Sequence, residues 1–282
     1  MRKRRKTVPV LPLAAAILAA AVCLSGWHHA PEGQAAETIP ETTGSAAESA
    51  VETIPDAGGA SSEAEQTILA FAQAKGLSLD DWPRSIIDLL DRNPETEEFV
   101  LGWPELHDRE QTVDLSEYED CKTVPLFLQW DTRWGYLSYG SDVAAVTGCG
   151  PVCLSMAAYY LTKDPAMSPD NMIRFALEGG YYVPGSGSAW TLISQGGEEL
   201  GLDVTEIPLD ENRILANLRV GNPIICVMGP GDFTTTGHFV VLAGIEDGKI
   251  RINDPNSRAN SEKLWDYSRL EGQIKNLWVI RK

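Results

Sequence analysis

A tight turn between two apolar, β-branched runs near the end of the chain constrains the fold more than any other feature. The turn is Glu246-Asp247-Gly248, and it separates the runs 239–245 and 249–253. A turn of this kind joins neighbouring antiparallel strands. Further strand-like runs lie at 223–228 and 277–281, and helical patterns come earlier, at 151–161, 169–178 and 189–200. Helices followed by strands with short connections predict an α+β domain with an antiparallel sheet.

The chain before residue 121 divides into three segments by composition. Basic residues at 2–6 precede an apolar run at 8–27, so 1–33 is predicted to be a signal peptide or N-terminal membrane anchor. This segment predicts an extracytoplasmic protein, either membrane-anchored through it or secreted. Residues 34–62 contain mostly small and acidic residues and are predicted to be a disordered acidic linker. The capping box Ser62-x-x-Glu65 and the apolar spacing after it predict a helical region over 63–120.

The charge of the chain excludes nucleic acid as a partner. The formal net charge is −17, and residues 121–282 hold 18 acidic against 14 basic residues. Binding to nucleic acid depends on basic residues that contact phosphates, and the predicted domain has no basic excess. The chain has five cysteines in 282 residues, too few for a disulfide framework.

One cysteine has the sequence context of a nucleophile. The segment Gly148-Cys149-Gly150-Pro151 comes directly before the apolar helix pattern. Proline fits the first turn of a helix, which places Cys149 at the helix N-terminus. The positive end of the helix dipole lowers the pKa of a thiol there. Cys153, one turn further along, lies among apolar residues and is predicted to be a core residue.

A base, an orienting group and an oxyanion donor can each be assigned to one residue. His238 is the only histidine after Cys149, and it stands at the start of the run 239–245. Asp254 follows the returning run 249–253, so the hairpin brings it close to His238, where it could orient the imidazole. Gln129 ends an apolar extended stretch, 124–130, and is the candidate to share with the Cys149 backbone N–H the binding of an oxyanion.

The sequence predicts no metal site and no cofactor. Cys149, Cys153, Cys226 and His238 could in principle bind zinc, but a Cys-x3-Cys pair within a helix is not a usual zinc spacing. Nucleotide-binding and metallopeptidase motifs are absent from the sequence.

Four motifs together resemble the C39-like peptidase family. They are Gln129-Trp130-Asp131-x-x-Trp134-Gly135, Gly148-Cys149-Gly150-Pro151, Gly237-His238-Phe239-Val240-Val241 and Asp254-Pro255. Members of this family are papain-like cysteine peptidases related to the bacteriocin-processing domains that cut leaders after double glycine. The resemblance covers 121–282 and implies a papain-like fold, with helices packed on an antiparallel sheet. It also implies Cys149 as nucleophile, His238 as base and acid, Asp254 as orienting group and Gln129 as oxyanion donor.

We therefore expect an exported thiol hydrolase that cleaves a peptide or amide bond in a peptide or protein substrate. Two alternatives remain open at this point. The same site could serve a cell-wall amidase or transacylase acting on cell-wall peptide, because the shape of the groove sets the substrate. The chain could also be a catalytically inactive surface module that binds peptides.

Overall fold

The computed structural model describes residues 61–282. The predicted signal peptide or anchor, 1–33, lies outside the described residues, as does nearly all of the predicted linker at 34–62. Between residues 61 and 282, no helix has both the length and the apolar character needed to cross a membrane.

The described chain begins with helices. They are α1 (Glu63–Lys75), α2 (Arg84–Arg92), α3 (Glu97–Leu101) and α4 (Trp103–Leu106). The capping box forms: the Ser62 hydroxyl accepts a hydrogen bond from the Glu65 N–H (3.1 Å), and the Glu65 carboxylate accepts one from the Ser62 N–H (3.2 Å). The Phe99 ring stacks on Tyr136 with centroids 4.2 Å apart, and the Tyr136 hydroxyl donates to the Phe99 carbonyl (2.8 Å). The helices therefore share a hydrophobic core with the segment that follows them.

An antiparallel sheet forms the second half of the described chain. Its strands are β5 (Asp203–Glu206), β6 (Ile224–Met228), β7 (His238–Glu246), β8 (Lys249–Asn253), β9 (Leu264–Trp265) and β10 (Ile274–Arg281). Among residues 61–282 these six strands are ordered β5-β10-β6-β7-β8-β9, and every neighbouring pair is antiparallel. Two short hairpins come earlier, β1 (Ser138–Tyr139) with β2 (Asp142–Val143), and β3 (Tyr182–Val183) with β4 (Gly187–Ser188). The predicted α+β class with an antiparallel sheet is confirmed.

Helices cover both faces of this sheet. The helices of residues 121–282 are α5 (Ala144–Thr147), α6 (Cys149–Thr162), α7 (Pro169–Glu178), α8 (Gly197–Glu199), α9 (Glu211–Arg219), α10 (Arg258–Ser261) and α11 (Tyr267–Leu270). Ile225 and Val227 of β6 belong to the core that contains α6, whereas Ile224, Cys226 and Met228 belong to the core that contains α9. This alternation follows from the two-residue period of a strand.

Two predicted elements differ in detail from the structure. The helix predicted at 189–200 is a π-helix, Leu192–Gly196, followed by the short α8. Gly196 and Gly197 stand where the two meet, and glycine weakens a regular helix. The stretch at 124–130 joins no strand ladder. Instead, the Asn253 side-chain amide at the end of β8 donates to the carbonyls of Val124 and Pro125, at 3.0 Å each.

Candidate active site

Cys149 is the first residue of the fourteen-residue helix α6, and Gly148 caps it. The backbone N–H groups of a first helical turn have no acceptor within the helix, so this end is electropositive. Cys149 is half-buried, whereas Cys153, four residues on, is fully buried. Gly150 packs against the β4 strand so closely that an added Cβ would lie 2.4 Å from the Ser188 Oγ. The glycine is therefore needed for helix α6 and the β3–β4 hairpin to meet beside Cys149.

The hairpin of β7 and β8 carries the other two polar groups. His238 is the first residue of β7 and pairs with Met228 of β6. Asp254 follows the last residue of β8, and its Oδ1 lies 2.7 Å from the His238 Nε2. His238 is 8% exposed and Asp254 only 1%, so the pair is shielded from water. Because Nε2 is engaged by Asp254, Nδ1 is the ring nitrogen left for the Cys149 thiol.

Asp254 is held by groups that the sequence analysis did not single out. Its Oδ1 also accepts from the Asn256 N–H (2.9 Å), and its Oδ2 accepts from the Asn260 side-chain amide (3.0 Å). The Asp254 backbone N–H donates to the Ser261 hydroxyl (2.9 Å). The sequence signal for these groups is the polar run 256–261 after Asp254-Pro255, because it contains a serine suited to cap a helix. Ser257 caps α10 by accepting from the Asn260 N–H (3.1 Å).

These contacts shift the pKa of each ionisable group. Burial alone would raise the pKa of the Cys149 thiol, but hydrogen bonding and positive charge from His238 outweigh it, so the pKa lies below its ordinary value. Burial alone would lower the pKa of His238, but the charge and hydrogen bond of Asp254, with a smaller effect of Cys149, raise it to about 10. Burial would likewise raise the pKa of the Asp254 carboxyl, yet His238 and the Asn260 amide hold it below its ordinary value. Both shifts favour a thiolate beside an imidazolium over a neutral thiol beside a neutral ring.

The remaining cysteine of helix α6 has the opposite environment. Burial raises the pKa of Cys153 well above its ordinary value, and the charge of Cys149 adds to this effect. A buried neutral thiol is a poor nucleophile, because the thiolate is the reactive form.

Gln129 is hydrogen-bonded to the residue after Asp254 and to helix α5, which precedes Cys149. Its backbone N–H donates to the carbonyl of Pro255, the residue after Asp254, at 2.7 Å. Its side-chain Nε2 donates to the carbonyl of Ala145 in α5, also at 2.7 Å. The amide group has two N–H bonds, and this contact uses one of them. Gln129 is 4% exposed, and its Oε1 has no hydrogen-bond partner among residues 61–282.

Within the described residues, no three histidine, cysteine, aspartate or glutamate side chains cluster in a way that could hold a metal ion. The cysteines at 121, 149, 153 and 226 are free thiols.

Residues 121–282 match the Peptidase_C39 like family. The match spans more than half of the chain. The chain belongs to this family. It is therefore a cysteine peptidase, and members of the C39-like family hydrolyse peptide bonds. No curated protein matches the chain.

Two solved structures are similar to this C39-like peptidase. The first is the peptidase domain of Streptococcus ComA, a bi-functional ABC transporter involved in a quorum sensing pathway, with 17% identity and a TM-score of 0.40. The likeness covers 56% of this chain and 98% of that one. The second is described as a C39-like peptidase from Bacillus anthracis, with 15% identity, a TM-score of 0.33, and coverage of 56% of this chain and 95% of that one. The family assignment rests on the sequence match over 121–282.

Proposed function

We propose that this C39-like peptidase cleaves peptide bonds with Cys149 as nucleophile, His238 as base and acid, Asp254 as orienting group and Gln129 as oxyanion donor. The observation that carries the proposal is the buried His238–Asp254 pair, 2.7 Å apart, whose imidazole lowers the pKa of a thiol at a helix N-terminus. A nucleophile, a base and an orienting group in this relation are the arrangement that thiol hydrolases need.

The first half of the reaction forms an acyl-enzyme. The Cys149 thiolate attacks the carbonyl carbon of the scissile bond, and the carbonyl electrons move onto oxygen. The Cys149 backbone N–H and the second N–H of the Gln129 amide donate to this oxyanion. When the intermediate collapses, the C–N bond breaks and the His238 imidazolium gives its proton to the leaving amine.

The second half of the reaction releases the acyl group. Neutral His238 now takes a proton from water, and the hydroxide attacks the thioester carbonyl. Collapse of this intermediate expels the Cys149 thiolate and frees the carboxylic acid product. His238 keeps the proton, so the thiolate–imidazolium pair is restored. Asp254 holds the ring in one orientation throughout and stabilises its positive charge.

We further propose that the enzyme acts outside the cytoplasm on a peptide or protein substrate. The support is the sequence of the first 33 residues, in which a basic cluster precedes an apolar run. A peptide of the cell wall is a second substrate class that an exported thiol hydrolase could reach.

The two cysteines of α6 provide a matched test of the nucleophile. Turnover can be followed with a peptide library and with purified cell wall, reading the products by mass spectrometry. Cys149→Ala should lower turnover by at least about 10⁴-fold, because the covalent step is lost. Cys153→Ala should keep turnover and lower thermal stability, because it leaves a small cavity in the core. Retained turnover in Cys149→Ala, with loss in a folded Cys153→Ala, would reverse the assignment.

A further inference from the structure

The loop that carries Asp254 is bound from two directions. From the peptidase side, Gln129 holds the Pro255 carbonyl (2.7 Å), and the Trp130 indole N–H donates to the Asn256 carbonyl (3.1 Å). From the N-terminal helices, the Asn93 side-chain amide donates to the same Asn256 carbonyl (2.6 Å). The connection between α2 and α3 therefore contacts the residue that follows Asp254-Pro255, although it lies about 160 positions earlier in the chain.

The carboxylate of Glu95 makes the second and larger part of this contact. Its Oε1 accepts from the Ser257 hydroxyl (2.8 Å), and its Oε2 accepts from the Arg258 backbone N–H (2.8 Å). A longer contact joins Oε1 to the Ala259 N–H (3.3 Å). A carboxylate in this position satisfies N–H groups at the start of α10 that have no acceptor within the helix.

Helix α10 in turn supplies the groups that hold Asp254. Asn260 donates its side-chain amide to the Asp254 Oδ2, and Ser261 accepts from the Asp254 backbone N–H. Ser257 links Glu95 to Asn260, because its hydroxyl donates to the Glu95 carboxylate and accepts from the Asn260 N–H. A movement of Ser257 would therefore reach Asn260, whose side chain holds the Asp254 carboxylate.

Glu95 is itself held rigidly. Asn93 is 9% exposed, and its side-chain oxygen accepts from the Glu95 N–H (3.1 Å). The Thr96 hydroxyl, fully buried, donates to the Asn93 carbonyl (2.7 Å). Phe99 of α3, a few residues on, stacks on Tyr136 of the peptidase domain. Asn93, Thr96 and Phe99 thus anchor the segment 93–99 to the buried interior.

We propose that Glu95 is a positioning residue for Asp254, acting through α10, so that the N-terminal helices are a working part of the peptidase. The inference rests on the proposed role of Asp254. Without the Glu95 carboxylate, the Ser257 hydroxyl and two backbone N–H groups lose their acceptor, and α10 is free to shift. Asn260 then holds the Asp254 carboxylate less firmly, and the His238 ring loses its fixed orientation. Small displacements of a catalytic group of this kind are costly to the rate.

Glu95→Ala tests the proposal, with Glu97→Ala as the matched control. Glu97, the first residue of α3, is exposed, and its side chain has no hydrogen bond or ion pair with any residue of 61–282. In the full chain, alkylation of Cys149 by iodoacetamide, measured from pH 4 to 11 and assigned by peptide mapping, reports the lower step, at which the thiolate forms. The His238 ring resonances in NMR over the same range report the upper step, at which the imidazolium loses its proton. The thiolate–imidazolium pair exists between a lower titration step and an upper one, and the upper step in the wild type follows the His238 pKa of about 10.

In Glu95→Ala, the pH interval between the two titration steps should narrow by about one unit or more. The free energy of a hydrogen bond to a carboxylate corresponds to about one pKa unit. The kcat should fall about tenfold with KM nearly unchanged, because binding groups are not touched. Glu97→Ala should match the wild type in both measurements. Glu95→Gln keeps an acceptor oxygen and the side-chain length, and it should recover part of the interval.

An unchanged interval in Glu95→Ala overturns the proposal, whatever the change in unfolding temperature, because a purely structural role would not move the titration. If Glu95→Ala does not fold, Glu95→Gln is judged by the same criterion. The His238 ring resonances in NMR report the titration without turnover. Failure of the proposed function would appear separately, as retained turnover in Cys149→Ala.

Discussion

Replacing Asp254 by Asn removes one negative charge from the site while keeping the size of the side chain. The wild-type carboxylate lies 2.7 Å from the His238 Nε2 and is 1% exposed, so water screens this interaction little. Its charge is the main reason that the pKa of His238 rises from 6.5 to about 10 despite burial. The Asn260 amide, which donates to the carboxylate at 3.0 Å, can still donate to the Asn oxygen.

The size of the effect follows from these values. Without the Asp254 charge, the pKa of His238 should fall from about 10 toward its ordinary 6.5, because burial then acts with less opposition. At pH 7.5 a group with a pKa of 6.5 is only about one-tenth protonated. In the remaining molecules His238 is neutral, so Cys149 has no positive charge beside it. The pKa of Cys149 therefore rises. Turnover at pH 7.5 should therefore fall by at least about tenfold, because only about one-tenth of the molecules hold the imidazolium that protonates the leaving amine. Alkylation of Cys149 should also slow, because its pKa rises.

The assay is site-resolved alkylation with iodoacetamide over a range of pH, together with kcat/KM for a cleaved peptide. Asp247→Asn is the matched control, because Asp247 is an exposed turn residue at the far end of the β7–β8 hairpin. Its φ of 51° is one that asparagine tolerates. We expect the upper limb of the pH profile of kcat/KM, which follows loss of the His238 imidazolium proton, to move from near pH 10 toward pH 6.5 in Asp254→Asn and to stay in place in Asp247→Asn. An upper limb still near pH 10 in a folded Asp254→Asn would refute the reasoning.

Two further changes test the oxyanion donor and the packing beside the nucleophile. Gln129→Ala should lower kcat by about 10²- to 10³-fold with little change in KM, as measured by steady-state kinetics, since its amide acts on the transition state. If kcat/KM of Gln129→Ala fell by the same factor through a higher KM alone, Gln129 would act in substrate binding instead. Gly150→Ala should destabilise the fold by about 1–3 kcal/mol in chemical denaturation, because the new Cβ would lie 2.4 Å from the Ser188 Oγ. Adding Ser188→Gly should recover part of that loss, and no recovery would show that this contact is not the cause.

Local patterns in the sequence were enough to predict the class of the fold and the residue types available for chemistry. Period-two runs joined by Glu246-Asp247-Gly248 predict an antiparallel sheet, because side chains alternate between the faces of a strand. A glycine-flanked Cys149 before a proline predicts a helix N-terminus, and α6 begins there. These features depend on neighbours in the chain, so local physical chemistry is enough to infer them. The same hairpin indicated that Asp254 would lie close to His238.

The way Asp254 is held, in contrast, depends on contacts between segments that are far apart in the chain. Asn260 and Ser261 contact it because α10 turns back on the end of β8, and Glu95 contacts α10 across 163 positions of sequence. Glu95 is one of many glutamates in an acidic chain, and nothing in its local pattern marks it. The contacts arise because the buried faces of the N-terminal helices pack on Tyr136 and its neighbours, and that packing depends on the whole core.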